Sequence, residues 1–206
     1  RELAEAGLAI RAGALWVACN VDRTLPTERG LMPGNGALVA AVRAATDEEP
    51  IVAGKPASPL MIQSIADADR PLVVGDRLDT DIEGAVAVNA ASLFVLTGVS
   101  TPRDLIEVGP RARPTYLAAD IRALTESAHA LEIAQKPGWE VEFTADGIKV
   151  AGHGEPLDLL RTLCAIRWAE GEGAIRVHPT DETSTDALSA LGLTEPRGRH
   201  PWTPIG

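Results

Sequence analysis

Three short apolar runs, each followed at once by a polar loop, constrain the fold of this chain more than any other feature. Pro50-Ile51-Val52-Ala53, Leu72-Val73-Val74 and Ser92-Leu93-Phe94-Val95-Leu96 have the length and composition of buried strands. Gly54-Lys55-Pro56 ends the first, Gly75-Asp76 the second and Thr97-Gly98 the third. Pro56 suits the first turn of a helix, and Ser58 to Ala66 carries helical apolar spacing. Strand–loop–helix repeats of this kind build an open parallel sheet with helices on its faces, and ligands sit at the C-terminal ends of its strands. The expected fold class is therefore α/β, a three-layer Rossmann-like parallel sheet.

The loops at that edge are chemically loaded. Asp76, Asp79 and Asp81 fall within six positions. Like charges so close raise each other's pKa unless a cation sits among them. A hard divalent ion such as Mg²⁺ suits the cluster, because it takes one or two protein carboxylates and completes its shell with phosphate oxygens and water. Thr80 with Glu83 three residues on reads as a capping box, placing Asp81 in a first helical turn where negative charge is favoured. Taken alone, the acids serve equally well as caps on an exposed turn. Lys55, at the end of the preceding strand, is a compact point charge suited to a phosphoryl group.

In this order and spacing, Gly54-Lys55-Pro56 and Gly75-Asp76-x4-Asp81 resemble the third and fourth motifs of the haloacid-dehalogenase-like phosphatases. Gly75-Asp76-Arg77-Leu78-Asp79-Thr80-Asp81-Ile82 resembles the class IIA branch, the para-nitrophenylphosphatase and NagD-like enzymes. Val17-Ala18-Cys19-Asn20-Val21-Asp22, Pro26-Thr27-Glu28-x-Gly30-Leu31 and Pro33-Gly34-x-Gly36 resemble that branch's last cap strand and its return to the core. Val21 stands where the family usually has proline. The resemblance covers Leu3 to Leu124. It implies hydrolysis of a small phosphate monoester, glycerol 3-phosphate being favoured, with Mg²⁺ as cofactor. Asp76 would bind the metal. Asp81, with Asp79, would support the metal's water shell. Lys55 would stabilise the nucleophile and the transferring phosphoryl oxygens. Asn20 and Asp22 would order the loop between cap and core or touch substrate, and Thr80 would support the site from behind or touch substrate; an Asx turn is the plainer reading of Asn20 and Asp22.

The family's nucleophile belongs to an Asp-x-Asp at the end of a first core strand. Asp67-Ala68-Asp69 has the spelling but terminates a helix and follows no apolar strand. The nucleophile, an aspartate that would form an aspartyl phosphate, is therefore expected upstream of Arg1, on a separate N-terminal polypeptide of the same enzyme. Two rival readings stand beside this one. The first is a non-catalytic protein that binds a phosphometabolite on a degenerate phosphatase core. The second is a receiver-like signalling domain, which the order of lysine before acids argues against.

Composition narrows the partners. The net charge of −10 argues against a nucleic-acid surface. No apolar run approaches the ~18 residues of a membrane span. Cys19 and Cys164, without metal spacing, read as buried thiols of a reducing, cytoplasmic compartment. A homo-oligomer is compatible with all of this.

Along the chain, residues 1–36 read as the end of a cap domain and its return. They comprise a helix over Arg1–Arg11, a strand over Leu15–Cys19 and a polar loop from Arg23 to Leu31. Residues 37–134 read as the C-terminal part of the phosphatase core, opened by a helix over Ala37–Ala45 and closed by one over Ile121–Ile133. After Gln135-Lys136-Pro137-Gly138 the texture changes. Residues 138–206 form a small ββαβα module, resembling at most part of a GNAT acetyltransferase. Trp139 to Thr144 alternates at strand period, Asp146-Gly147 is a hairpin signal, and Leu157 to Ala169 is an apolar helix. No glycine-patterned loop for an acyl-CoA pyrophosphate is evident there. His153, His178 and His200 are too scattered for a metal site.

Overall fold

The computed structural model describes residues 1–55, 58–144 and 146–194. The chain divides into two compact units, residues 1–99 with 111–115, and residues 100–110 with 116–206.

In the first unit, helix α1 (Glu2–Arg11) ends as the backbone turns through Gly13 at φ 91°. Strand β1 (Val17–Ala18) is shorter than the apolar run suggests. The stretch expected to be a polar loop is instead a hairpin of β2 (Thr24–Thr27) and β3 (Gly30–Pro33), pairing Leu25 with Met32 and Thr27 with Gly30. Gly30 at φ 107° closes its two-residue turn, and the Thr27 hydroxyl donates to the Gly30 carbonyl. Helix α2 (Asn35–Thr46) stops at Asp47 in a left-handed conformation. Then follow β4 (Ile51–Val52), α3 (Ser58–Ile65), β5 (Leu72–Gly75), α4 (Glu83–Ala87) and β6 (Ala91–Val95). The expected part of Pro56 in opening α3 lies outside the described residues.

Apart from the antiparallel β2–β3 hairpin, the strand pairs of this unit are parallel: β1 beside β4, with Ala18 opposite Val52, and β5 beside β6, with Val74 opposite Leu93. This is the α/β parallel arrangement expected of a Rossmann-like core. Leu93, Phe94, Ile82 and Ala85 are fully enclosed under β6 and α4. A hydroxyl staple secures β6 from its flank: the Ser92 amide donates to Thr115 Oγ1, and the Thr115 amide to the Ser92 carbonyl. The first half of this unit is barely enclosed by comparison. Leu15, Val17, Ile51, Leu60 and Ile62 are all exposed, and so is Leu72 at the start of β5.

The second unit begins with α5 (Pro102–Glu107), whose capping box of Thr101 and Asp104 satisfies orphan donors at both ends of the turn. Strand β7 (Tyr116–Ala118) follows. The single helix expected over Ile121–Ile133 is replaced by a 3₁₀ turn at Ile121–Thr125 and a short α6 (Ala128–Leu131). Glu126 is extended, and Ser127 caps the second piece by accepting from the Ala130 amide, which breaks the helical run in two.

Next come β8 (Trp139–Thr144), β9 (Gly147–Gly152), α7 (Pro156–Glu170), β10 (Val177–Pro179) and α8 (Glu182–Ala190). β8 and β9 are antiparallel, and β10 lies parallel to β9. Leu159, Leu160 and Leu163 of α7 are fully buried with Ile148, Val150 and Leu188. Cys164 is also fully buried, and burial pushes its thiol far above the ordinary range, so it is an inert core residue. Asp181 caps α8: the Ser184 and Gly152 amides donate to it and hold its carboxyl below the usual range. That stabilisation is present above the ordinary carboxylate pKa and is lost as pH falls through the depressed value. Leu163→Ala is expected to cost about 2–5 kcal/mol, measurable as a lower midpoint in urea unfolding followed by tryptophan fluorescence. No described helix is long and apolar enough to cross a membrane.

Candidate active site

The two polar strand ends of the first unit meet. Gly54 follows β4 with its backbone against β1: a Cβ there would lie 2.0 Å from the Cys19 carbonyl oxygen, so only glycine fits. The next residue, Lys55, places its Nζ 2.7 Å from Asp81 Oδ1. Burial pulls the Lys55 pKa down, but the hydrogen bond and charge of Asp81, with the charges of Asp22 and Asp76, hold it above the ordinary value. The ammonium is thus fully protonated at neutral pH.

Asp81 reaches Lys55 because the chain after β5 doubles back. A Cβ on Gly75 would lie 2.2 Å from that of Asp81. Its second oxygen, Oδ2, accepts from the Arg77 amide at 3.2 Å. The Arg77 carbonyl accepts from both the Asp81 and Ile82 amides, so Leu78–Ile82 is a π-helical turn. The capping box expected of Thr80 and Glu83 does not form. Thr80 lies inside this wide turn, buried, and its Oγ1 has no hydrogen-bond partner among the described residues. The carboxylate that organises the turn is Asp81.

Asp76 stands at the end of β5, half-buried. Its Oδ2 accepts from the Val99 amide at 3.3 Å, and a Cβ on Gly98 would lie 1.5 Å from that oxygen. Gly98 thus lets the backbone after β6 close on the carboxylate. Asp76 Oδ1 has no hydrogen bond among the described residues.

Asp79 is turned aside. Its two oxygens accept from Arg77 Nε at 3.1 Å and Nη2 at 2.7 Å. Arg77 is 8% exposed, and its Nη1 donates to Thr24 Oγ1 at 3.2 Å. Burial lowers its pKa, but the hydrogen bond and charge of Asp79, with Asp22 and Asp76, more than offset this. Nothing in the composition singled out Arg77; its position among three acids was the available signal.

The Asn20-Val21-Asp22 segment joins the same group. Asn20 Oδ1 accepts from the Asp22 amide at 3.1 Å, an Asx turn that forms with Val21 in the middle. The Val21 amide donates to the Lys55 carbonyl, and Asn35 Nδ2 donates to the Asn20 carbonyl at 2.7 Å. Asp22 Oδ1 is buried, lies 3.9 Å from Arg77 Nε and has no hydrogen bond among the described residues. Cys19, expected to be buried, is exposed. It lines a cavity of about 550 Å³ with Asn20, Gly54 and Lys55 on one side and Leu72 and Val73 on the other. A buried thiol needs a covered sheet, and this part of the sheet is open.

The acids do not converge into a cage, since no described group of three or more His, Cys, Asp or Glu side chains could hold a metal ion. Asp81 is committed to Lys55 and Asp79 to Arg77. Among the described residues, Asp76 Oδ1 and the buried Asp22 Oδ1 are left without a hydrogen bond, and of the two Asp76 stands at the end of β5 and is the less buried. Four carboxylates (Asp22, Asp76, Asp79, Asp81) face two cations (Lys55, Arg77), leaving two negative charges unbalanced. One divalent cation fits that balance, with Asp76 as a single protein ligand and room for others.

Residues 52–124 match the HAD-hydrolase-like family, and residues 136–193 match the GCN5-related N-acetyltransferase-like domain. The D-glycerol 3-phosphate phosphatase of Mycobacterium tuberculosis is 46% identical over all of this chain, which spans 62% of that protein's length. The crystal structure of the glycerol phosphate phosphatase from the same organism in complex with magnesium superposes with a TM-score of 0.83 at 48% identity, over 93% of this chain and 59% of that one. The p-nitrophenyl phosphatase from Archaeoglobus fulgidus gives a TM-score of 0.52 at 32% identity, over 63% of this chain and 51% of that one. With Lys55, Asp76 and Asp81 assembled at adjoining strand ends inside the matched segment, residues 52–124 are HAD-hydrolase-like, and the chain is similar to the class IIA branch of the p-nitrophenyl phosphatases.

Proposed function

We propose that this chain is part of a cytoplasmic, Mg²⁺-dependent phosphatase acting on a small phosphate monoester, with glycerol 3-phosphate the favoured substrate. The observation that carries the reading is the 2.7 Å Lys55–Asp81 pair beside the end of β5, where Asp76 holds out one oxygen. The similarity to a D-glycerol 3-phosphate phosphatase supports the substrate.

Asp76 would hold Mg²⁺, which when bound neutralises phosphoryl oxygens and draws charge from the transferring group. Lys55 places a fixed ammonium beside the same oxygens and beside the attacking carboxylate, where an oriented charge stabilises the transition state most. Asp81 keeps that ammonium in place and charged. Asn20 and Asp22 shape the rim of the site. The attacking carboxylate, which would form an aspartyl phosphate that water then hydrolyses, is assigned to a segment outside residues 1–206. Asp67 and Asp69, the remaining Asp-x-Asp pair, are exposed in the turn after α3 and cannot serve. The GCN5-related unit is assigned a structural role, since its one buried thiol is inert and its buried charges, Arg161 and Arg167, donate to backbone carbonyls.

The test is phosphate release by the complete enzyme from glycerol 3-phosphate against a panel of sugar and aryl phosphates, with and without EDTA. Turnover that EDTA abolishes and Mg²⁺ restores is the expected result. Tight binding of a phosphorylated metabolite without any turnover would replace this reading with a sensor.

A further inference from the structure

We infer that Arg77 is a positioning residue with two tasks: it withholds Asp79 from the cation, and it clamps the Asn20–Thr24 segment over the end of β5. The inference rests on the phosphatase reading above and assigns a role to a residue outside the Lys55–Asp76–Asp81 group.

The geometry is that of a hub. The Arg77 guanidinium forks onto both oxygens of Asp79, at 3.1 and 2.7 Å. Paired, planar bonds of this kind fix orientation as well as charge. The remaining nitrogen, Nη1, donates to Thr24 Oγ1 at 3.2 Å, 53 residues away in sequence at the start of β2. Nε stands 3.9 Å from the buried Asp22 Oδ1, too far for a hydrogen bond but close enough for strong attraction inside a protein. The backbone of the same residue is engaged too: its amide donates to Asp81, and its carbonyl closes the π-helical turn. One side chain and its peptide groups therefore join the return segment, the acid loop and the carboxylate that holds Lys55.

The charge balance gives this arrangement its purpose. Without the guanidinium, the site would carry a third unbalanced negative charge. Asp79, now half-exposed and held sideways, would be free to swing toward the cation. A second carboxylate on the ion would displace water or phosphate oxygens from a small octahedral shell. Lysine could not substitute, because it cannot fork onto Asp79 and reach Thr24 at the same time.

The experiment uses the complete enzyme. Mg²⁺ binding is measured by calorimetry, steady-state kinetics give kcat and KM separately, and hydrogen exchange follows the Val21 and Asp22 amides. In Arg77→Gln, Mg²⁺ should bind roughly threefold or more tightly, from the added negative charge. KM for the phosphate ester should rise about tenfold, from loss of charged hydrogen bonds that order the segment. Adding Asp79→Asn should return Mg²⁺ affinity to the wild-type value and leave KM high. Thr24→Val, which removes one hydroxyl and threatens folding far less, should raise KM and leave Mg²⁺ affinity alone. A folded Arg77→Gln protein with unchanged Mg²⁺ affinity and KM would overturn the inference, as would tighter binding that Asp79→Asn does not reverse. A wild-type enzyme with neither Mg²⁺ binding nor turnover would overturn the phosphatase reading instead. The clamp would then be decided by exchange alone: faster exchange at Val21 and Asp22 in Arg77→Gln supports it, and unchanged exchange ends it.

Discussion

Asp76→Asn in the complete enzyme is expected to lower kcat by about 10²–10³-fold, the scale on which removing one fixed charge partner from a transition state acts. The substitution is nearly isosteric. The Asn side-chain oxygen can still accept from the Val99 amide as Asp76 Oδ2 does, at 3.3 Å, so the loop after β6 keeps its anchor. The packing of Gly98 against this side chain is likewise unchanged in shape. What changes is charge. The acids would exceed the cations by one rather than two, and the Asp76 oxygen that has no hydrogen bond among the described residues would become a neutral amide atom. Mg²⁺ affinity should fall, and raised Mg²⁺ should restore activity only in part, because the neutral ligand also places the ion less firmly. Thermal stability should stay close to wild type, which separates loss of chemistry from loss of fold. Assays of kcat across a Mg²⁺ titration decide the matter. Activity near wild type at ordinary Mg²⁺ would remove Asp76 from the metal site.

The strands that carry this chemistry were readable because their signal is local. Ile51–Val52, Leu72–Gly75 and Ala91–Val95 are short apolar runs ended by glycine or a charged residue, and each lies within a residue or two of its expected place. Lys55 and Asp76 follow from them directly. What escaped was set by contacts distant in sequence. The β2–β3 hairpin is polar at its turn and contains Pro26, which hides a strand in any periodicity reading. The role of Arg77 depends on Thr24, and that of Asp81 on a doubling back that only Gly75 permits. The pattern Thr80-x-x-Glu83 promised an ordinary helix start, but a buried carboxylate four residues from Arg77 claimed the backbone amide first and widened the turn. In the second unit, the Asp146-Gly147 signal correctly anticipated a hairpin between β8 and β9, while Ser127 cut a helix that apolar spacing alone would have continued.

The largest effect is expected from adding chain rather than altering it. β4 bonds to β1 and β5 bonds to β6, yet among the described residues β4 and β5 stand in different sheets. Their C-terminal ends nevertheless meet through the Lys55–Asp81 pair. Between them lies the cavity of about 550 Å³, flanked by Gly54 and Lys55 on the β4 side and by Leu72 and Val73 on the β5 side. Ile51 is 55% exposed and Leu72 41%, values at odds with strands built of apolar residues. Strand edges left open this way present unpaired amides and carbonyls. A strand parallel to both would satisfy those groups and cover Ile51 and Leu72. A carboxylate at its end would stand beside Lys55 and Asp76, the position the proposed chemistry requires of its nucleophile. Residues 1–206 alone are therefore expected to be prone to association and to hydrolyse no phosphate ester measurably. Co-expression with the part of its longer relatives that this chain does not span, expected to be N-terminal, should yield a soluble complex with full turnover. Size-exclusion chromatography, mass spectrometry of the peak and a phosphate-release assay on both samples test this together. A monomeric preparation of residues 1–206 that hydrolyses glycerol 3-phosphate unaided would show that the cavity needs no strand and that the nucleophile lies within this chain.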